Sequence, residues 1–289
     1  MIDKTITKFY EDSFPNSKGI VEWWGGFESE QVGEREYKYY GLDNPNGNWD
    51  TEIAEMSEYK DMTYKLNKQG YRSDSFEDNK NSDKTKFLFL GCSLTFGQGV
   101  PENMMYSKIV ANHFDAIHWN LSRVGNNTEG CLLALNNFIQ AGYKADKVII
   151  QYPFWERQVY VGENEFVEFH KEIVNEKHKN WVISSNPKMN AWNWWLCVKA
   201  IKGICLENNL ELVEIITQNK YTEYLPNALN LRSHSNMIPA HISDKQKLAR
   251  DGVHPGLLPH EMFAKALIVH LKGNKNTDPV LDILKNPQF

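Results

Sequence analysis

From Lys86 onward the chain alternates short apolar runs with longer stretches whose apolar residues recur at helical spacing, the pattern of strands separated by helices. Lys86 to Gly91 (KFLFLG) is an apolar run closed by glycine and predicts a buried strand, and Met104 to Phe114 predicts a helix. Ala116 to Leu121 (AIHWNL) predicts a second strand, and Thr128 to Ala141, with Leu132, Leu133, Leu135, Phe138 and Ile139, a helix. Lys147 to Tyr152 (KVIIQY) predicts a third strand, Ala191 to Asn208 a helix, and Leu210 to Thr217 (LELVEIIT) a fourth strand. A closing helix is expected over Glu261 to Leu271, behind Pro259. Strands joined through helices cross over in parallel, which buries the sheet on both faces. The expected fold is therefore α/β: a three-layer α/β/α sandwich around a central parallel sheet.

Residues 1–84 break this pattern. They are rich in Asn, Gly, Glu and aromatic residues, with Trp23, Trp24, Trp49, Tyr37, Tyr39 and Tyr40, and show no long helical period. Disordered segments are poor in aromatics, so residues 1–84 are taken as an irregular N-terminal extension and residues 85–289 as the α/β domain. Trp23, Trp24 and Trp49 would anchor a lid, a partner contact or an oligomer contact equally well.

Composition narrows the function classes. With 289 residues, 41% hydrophobic, the chain is long enough to hide roughly 75% of its unfolded surface, so it needs no disulfide framework. Cys92, Cys131, Cys197 and Cys205 lack CxxC or Cys/His spacing, which points to free thiols and to no metal. No apolar run approaches the roughly 20 residues of a membrane span, and MIDKTITKFYEDSF lacks a signal-peptide centre. A soluble, cytoplasmic protein is the expectation, or a virion-associated one if the chain is of phage origin. Residues 1–84 carry 18 acids and 11 bases, a balance of −7, against +2 for the remainder. That argues against nucleic acid as a partner, because phosphate backbones need clustered Lys and Arg. All nine histidines lie after residue 112, so imidazole chemistry belongs to the α/β part.

In parallel sheets ligands sit beyond the carboxyl ends of the strands. After the first strand the chain reads Gly91-Cys92-Ser93-Leu94-Thr95-Phe96-Gly97-Gln98-Gly99-Val100. A serine two residues past a strand is a candidate nucleophile; a serine cap at a helix start looks the same. Before the last helix stands Asp251-Gly252-Val253-His254-Pro255. A base for the serine and a carboxylate fixing the base's tautomer can come from one such loop, although Asp-Gly and His-Pro also make an ordinary turn.

Taken together, the two sites resemble the SGNH, or GDSL-like, hydrolases. KFLFLGCSLTFGQGV is similar to the block around their nucleophile, DGVHP to the block that supplies Asp and His, and Gly70-Tyr71-Arg72-Ser73 to a stretch that often precedes the first block. The likeness spans roughly residues 67 to 272. It implies the flavodoxin-like version of the α/β/α sandwich, with Ser93 as nucleophile, His254 as base and then acid, and Asp251 orienting the imidazole. Asn120 to Asn127 (NLSRVGNN) matches the second block, which implies an oxyanion hole built from Ser93 and Gly125. Two departures stand out. Cys92 replaces the usual Asp, and the third block, expected to end Gly-x-Asn-Asp, reads Gln151-Tyr152-Pro153-Phe154-Trp155-Glu156-Arg157. Asn126 and Asn127 are the candidates to present a side-chain amide in place of the missing asparagine, with Asn127 preferred. Phage and environmental members of the group carry a short turn ending in arginine here, as Glu156-Arg157 does; Arg157 lines the site, holds the loop or forms a surface ion pair.

Trp192, Trp194 and Trp195 fit either core packing or a sugar-stacking platform. His234 and His241 lack acidic neighbours at ligand spacing, and Cys92 is expected to be a buried structural thiol. The resemblance implies a serine esterase without cofactor or metal, acting on a small-molecule or polysaccharide ester, with O-acetylated carbohydrate preferred. Acyl transfer to another hydroxyl, or a non-catalytic carbohydrate-binding or structural role on the same fold, are the alternatives. The sequence leaves the oligomeric state open.

Overall fold

The computed structural model describes residues 34–39, 57–161, 166–169, 187–218, 221–231 and 247–273. Trp23, Trp24, Tyr40, Trp49, His234 and His241 lie outside them. In chain order the elements are β1 (Arg35–Tyr37), α1 (Ser57–Lys60), β2 (Tyr64–Leu66), α2 (Phe76–Asn79), β3 (Lys86–Leu90), α3 (Ser93–Phe96) and α4 (Tyr106–His113). There follow β4 (Ile117–Asn120), α5 (Thr128–Gln140), β5 (Lys147–Gln151), β6 (Gln158–Val161), β7 (Phe166–Phe169), α6 (Pro187–Glu207), β8 (Glu211–Ile216), β9 (Leu229–Asn230) and α7 (Leu257–Leu271).

The central sheet runs β4-β3-β5-β8-β9 and every neighbouring pair is parallel. Counted along the chain this is the order 2-1-3-4-5 of flavodoxin-like sheets, whose switch point lies between the first and third strands. Here those strands are β3 and β5, so their carboxyl ends open the crevice where a ligand would sit.

The strands are apolar on both faces because both faces are covered. In β3, Leu88 and Leu90 point into a cluster with Cys131, Leu135 and Phe138 of α5 and Trp194, Val198 and Ile201 of α6. The alternate residues Phe87 and Phe89 point the other way, against Tyr106 and Val110 of α4 and Phe263, Ala264 and Leu267 of α7. In β5, Val148 and Ile150 join the first cluster and Ile149 the second. This period-two division makes the three layers, and a one-residue slip of either strand would exchange its two faces.

Some elements differ from expectation. The closing helix begins at Leu257, four residues before the predicted start, and carries Pro259 in its first turn. Proline is tolerated there because the first N–H groups of a helix have no intrahelical partner. The fifth strand, β9, has two residues, too few to show a period. The antiparallel pair β6-β7 was also not predicted.

Core packing continues across the boundary expected at residues 84 and 85. Tyr59, Met62, Tyr64 and Leu66 form a third cluster with Phe96, Val100, Ala249 and Leu257, and Phe76 is buried against Trp119 and Phe138. No helix of the described residues is long and apolar enough to cross a membrane.

Candidate active site

The turn after β3 is made tight by what surrounds it. Any Cβ at Gly91 would meet the Thr95 side chain and the Gln151 carbonyl of β5, so glycine lets the turn sit at the switch point. Cys92 is the extended N-cap of α3 and Ser93 its first helical residue, not the cap itself. Gly97 ends the helix in the left-handed conformation, φ 74°. Asn120, at the end of β4, donates from Nδ2 to the Thr95 carbonyl at 3.1 Å, and the Thr95 hydroxyl bonds Tyr106 Oη at 2.8 Å. Ser93 is thus held from three elements.

The loop before α7 closes on itself. Ala249 N donates to the His254 carbonyl at 2.8 Å and Gly256 N to the Lys247 carbonyl at 2.7 Å, while Leu248 and Pro255 form an antiparallel bridge. The loop is tied to the serine turn through Arg250 N, which donates to the Gly99 carbonyl at 2.9 Å. Gly99 N in turn donates to Tyr64 Oη at 2.8 Å. The guanidinium of Arg250 is buried and donates to the carbonyls of Tyr59, Met62 and Lys38. Residues of the N-terminal region therefore clamp both loops. On the far side of the clamp Arg72, also buried, donates to the carbonyls of Gly97 and Val100 at 2.6 and 2.9 Å.

This scaffold brings Ser93, His254 and Asp251 into one line. His254 Nε2 lies 2.9 Å from Ser93 Oγ, and His254 Nδ1 lies 2.6 Å from Asp251 Oδ2. The second carboxylate oxygen, Oδ1, accepts from the backbone N–H groups of Val253 and His254 at 3.0 and 2.9 Å. Burial works to raise the Asp251 carboxyl. The bond and charge of His254, with the two backbone donors, outweigh it and hold the group below the ordinary carboxylate range. An ionised Asp251 fixes the proton of His254 on Nδ1, which leaves the Nε2 lone pair toward the serine hydroxyl.

The cleft above the serine has a volume of about 440 Å³ and is lined by Cys92, Gln151, Phe154, Arg157, Thr217 and Leu231 beside the Ser93–His254 pair. Cys92 Sγ lies 3.2 Å from Gln151 Oε1, while Gln151 Nε2 donates to the Tyr152 carbonyl at 2.8 Å. Cys92 thus has a glutamine partner from β5. Gly125 sits in the β4–α5 turn at φ 80°, a conformation that favours glycine. Asn127 is the N-cap of α5: its Oδ1 accepts from Gly130 N at 2.8 Å, and its Nδ2 is buried without a partner. Neither Gly125 nor Asn127 is among the described residues that line the cleft.

Thr217, Phe154 and Leu231 were missed in the sequence. Thr217 directly follows β8 and Phe154 stands three residues past the end of β5, so the strand-end rule that singled out Ser93 would also have found them. The three tryptophans of α6 divide. Trp194 is core, stacked on Tyr221 with its indole N–H on the Pro153 carbonyl. Trp192, 56% exposed, and Trp195 line a second groove of about 500 Å³ with Trp155 and Tyr224.

The four cysteines are free. Burial, helped by Glu129 for Cys197 and by Glu214 for Cys205, pushes both thiols up to about 12. Among the described residues no cluster of His, Cys, Asp or Glu has the makings of a metal site.

No protein-family model matches the sequence, and no curated protein matches it. Several solved structures align with it. An acetyl xylan esterase from the rumen bacterium Butyrivibrio proteoclasticus shares 13% identity at a TM-score of 0.42, over 65% of this chain and 64% of that one. A psychrotrophic esterase from Pseudoalteromonas sp. shares 13% at 0.43, over 67% and 100%. A member of the lipolytic G-D-S-L family from Veillonella parvula shares 13% at 0.39, over 64% and 96%.

Proposed function

We propose that the chain is a serine ester hydrolase of the SGNH type. The observation that carries this reading is the continuous line from Ser93 Oγ through His254 to a buried Asp251, at 2.9 and 2.6 Å, opening into a cleft. Three residues from loops 161 positions apart have no packing reason to align in this way, and nucleophilic acyl chemistry requires it.

In the reaction Ser93 Oγ attacks the ester carbonyl carbon as His254 Nε2 takes the hydroxyl proton. The imidazolium is stabilised by Asp251. The carbonyl oxygen becomes an oxyanion, received by the backbone N–H of Ser93 at the start of α3. Preorganised donors of this kind are worth about 3–4 kcal/mol each. Collapse breaks the C–O bond to the alcohol, which leaves with the proton from His254. Water, deprotonated by the same nitrogen, then releases the acid and restores Ser93.

A short acyl group, with acetyl the first choice, suits a cleft of about 440 Å³. The exposed aromatic groove of Trp192, Trp195 and Tyr224 on the other side of the Pro153–Arg157 turn favours a carbohydrate as the alcohol. The test is hydrolysis of p-nitrophenyl acetate and of acetylated xylan by wild type and Ser93→Ala. The expected result is turnover that falls to background in the variant. Equal rates in the two proteins would overturn the proposal.

A further inference from the structure

One cation in the cleft has no counter-charge among the described residues. Arg157 lines the cleft and is partly buried; Nη1 donates to the Asn126 carbonyl at 3.3 Å, and the guanidinium lies over the Phe154 ring, 5.2 Å from its centroid. Its Nε is buried without a partner, and so is Oγ1 of Thr217, which lines the same cleft. Among the described residues no Asp or Glu lines that space and no ion pair joins Arg157 to a carboxylate. Asp251 is fully buried behind His254 and engaged by it.

A guanidinium held in place, partly out of water and without an anion, costs free energy in the unliganded protein. A transient oxyanion would offset that cost only during turnover. A permanent anion on the ligand offsets it for as long as the ligand is bound, and the planar fork of arginine matches a carboxylate. Gln151, the other long polar side chain of the cleft, is spent on Cys92 and the Tyr152 carbonyl, which leaves Arg157 and Thr217 for the ligand.

We infer that Arg157, with Thr217, forms a carboxylate-binding subsite, and that the preferred substrates are esters carrying a carboxylate close to the scissile bond. The inference rests on the esterase reading for its catalytic consequence but not for binding. The carboxylate can belong to the acyl group, as in a dicarboxylic half-ester, or to the alcohol, as in an acetylated hexuronic acid.

The experiment compares kcat/KM for two matched pairs in wild type, Arg157→Gln and Arg157→Lys. The pairs are p-nitrophenyl hemisuccinate against p-nitrophenyl butyrate, and O-acetylated glucuronate against O-acetylated glucose. Wild type is expected to favour the acidic member of one pair by about 10- to 100-fold, the worth of a charge-assisted bond, and that pair identifies where the carboxylate sits. Arg157→Gln should bring the ratio to about one, and Arg157→Lys should keep part of it. Ratios near one in wild type, or a wild-type preference that survives in Arg157→Gln, would overturn the inference. Calorimetric binding of succinate and glucuronate to wild type and Arg157→Gln separates this from the esterase reading. Arginine-dependent binding without turnover would uphold the subsite and sink the esterase, whereas turnover without acidic preference would do the reverse.

Discussion

Replacing Asp251 by Asn exchanges one oxygen for an amide nitrogen and is expected to cost about three orders of magnitude in kcat. Asp251 is fully buried and its Oδ2 lies 2.6 Å from His254 Nδ1. In the transition state the imidazole gains a positive charge facing that carboxylate. Two unit charges about 4 Å apart at an effective dielectric near 20 interact by about 4 kcal/mol, and each 1.36 kcal/mol is a factor of ten in rate. The amide removes this attraction. Its NH₂ also turns a donor toward Nδ1, so the ring proton moves to Nε2 and the serine loses its acceptor. The fold should survive, because Asn keeps an oxygen for the N–H groups of Val253 and His254 now on Oδ1. The assay is steady-state hydrolysis of p-nitrophenyl acetate beside thermal melts of both proteins. A folded Asp251→Asn protein retaining more than a tenth of wild-type kcat would refute the assigned role of the carboxylate.

Stability should fall with acidity below neutral pH. His118 and His260 are wholly buried; burial, assisted by Lys108 for His118 and by Arg72 for His260, pushes both down to about 3. The unfolded chain takes up these protons near pH 6.5 and the folded chain does not, so their contribution is complete above 6.5 and is lost as pH falls toward 3. Between pH 6.5 and 5.5 the two together should remove about 2 kcal/mol; a Tm that stays level across that window would contradict the burial of both rings. Tyr64→Phe removes the hydroxyl that accepts from Gly99 N at 2.8 Å and strands a buried N–H. The cost is about 1–3 kcal/mol, a drop of roughly 2–12 °C in Tm, and a variant melting with wild type would show that the bond carries no weight.

Four of the five strands of the sheet were legible because they obey one rule. β3 and β5 are continuous apolar runs, and α4 and α5 carry one apolar face each, so length and period sufficed. The start of α7 was misplaced because Pro259 looks like a stop, whereas in a first turn it is harmless. Ser93, Asp251 and His254 stand at strand and helix junctions, where turn chemistry is local and short motifs reveal it. The clamp of Tyr64, Arg72 and Arg250 was invisible. Its partners are backbone groups 24 to 212 residues away, carbonyls for the two arginines and the Gly99 N–H for Tyr64, and a backbone group leaves no trace in a sequence. Asn127 shows a local use that the sequence also allows: an Asn just before a helix is a favoured cap, and its side-chain oxygen caps α5.

The most direct test of the central claim is covalent. Wild-type protein treated with a fluorophosphonate is expected to gain the mass of one phosphonyl group, mapped by peptide sequencing to Ser93 and absent in Ser93→Ala. A folded wild type that stays unlabelled, or a label at any other residue, would contradict an activated serine at this site.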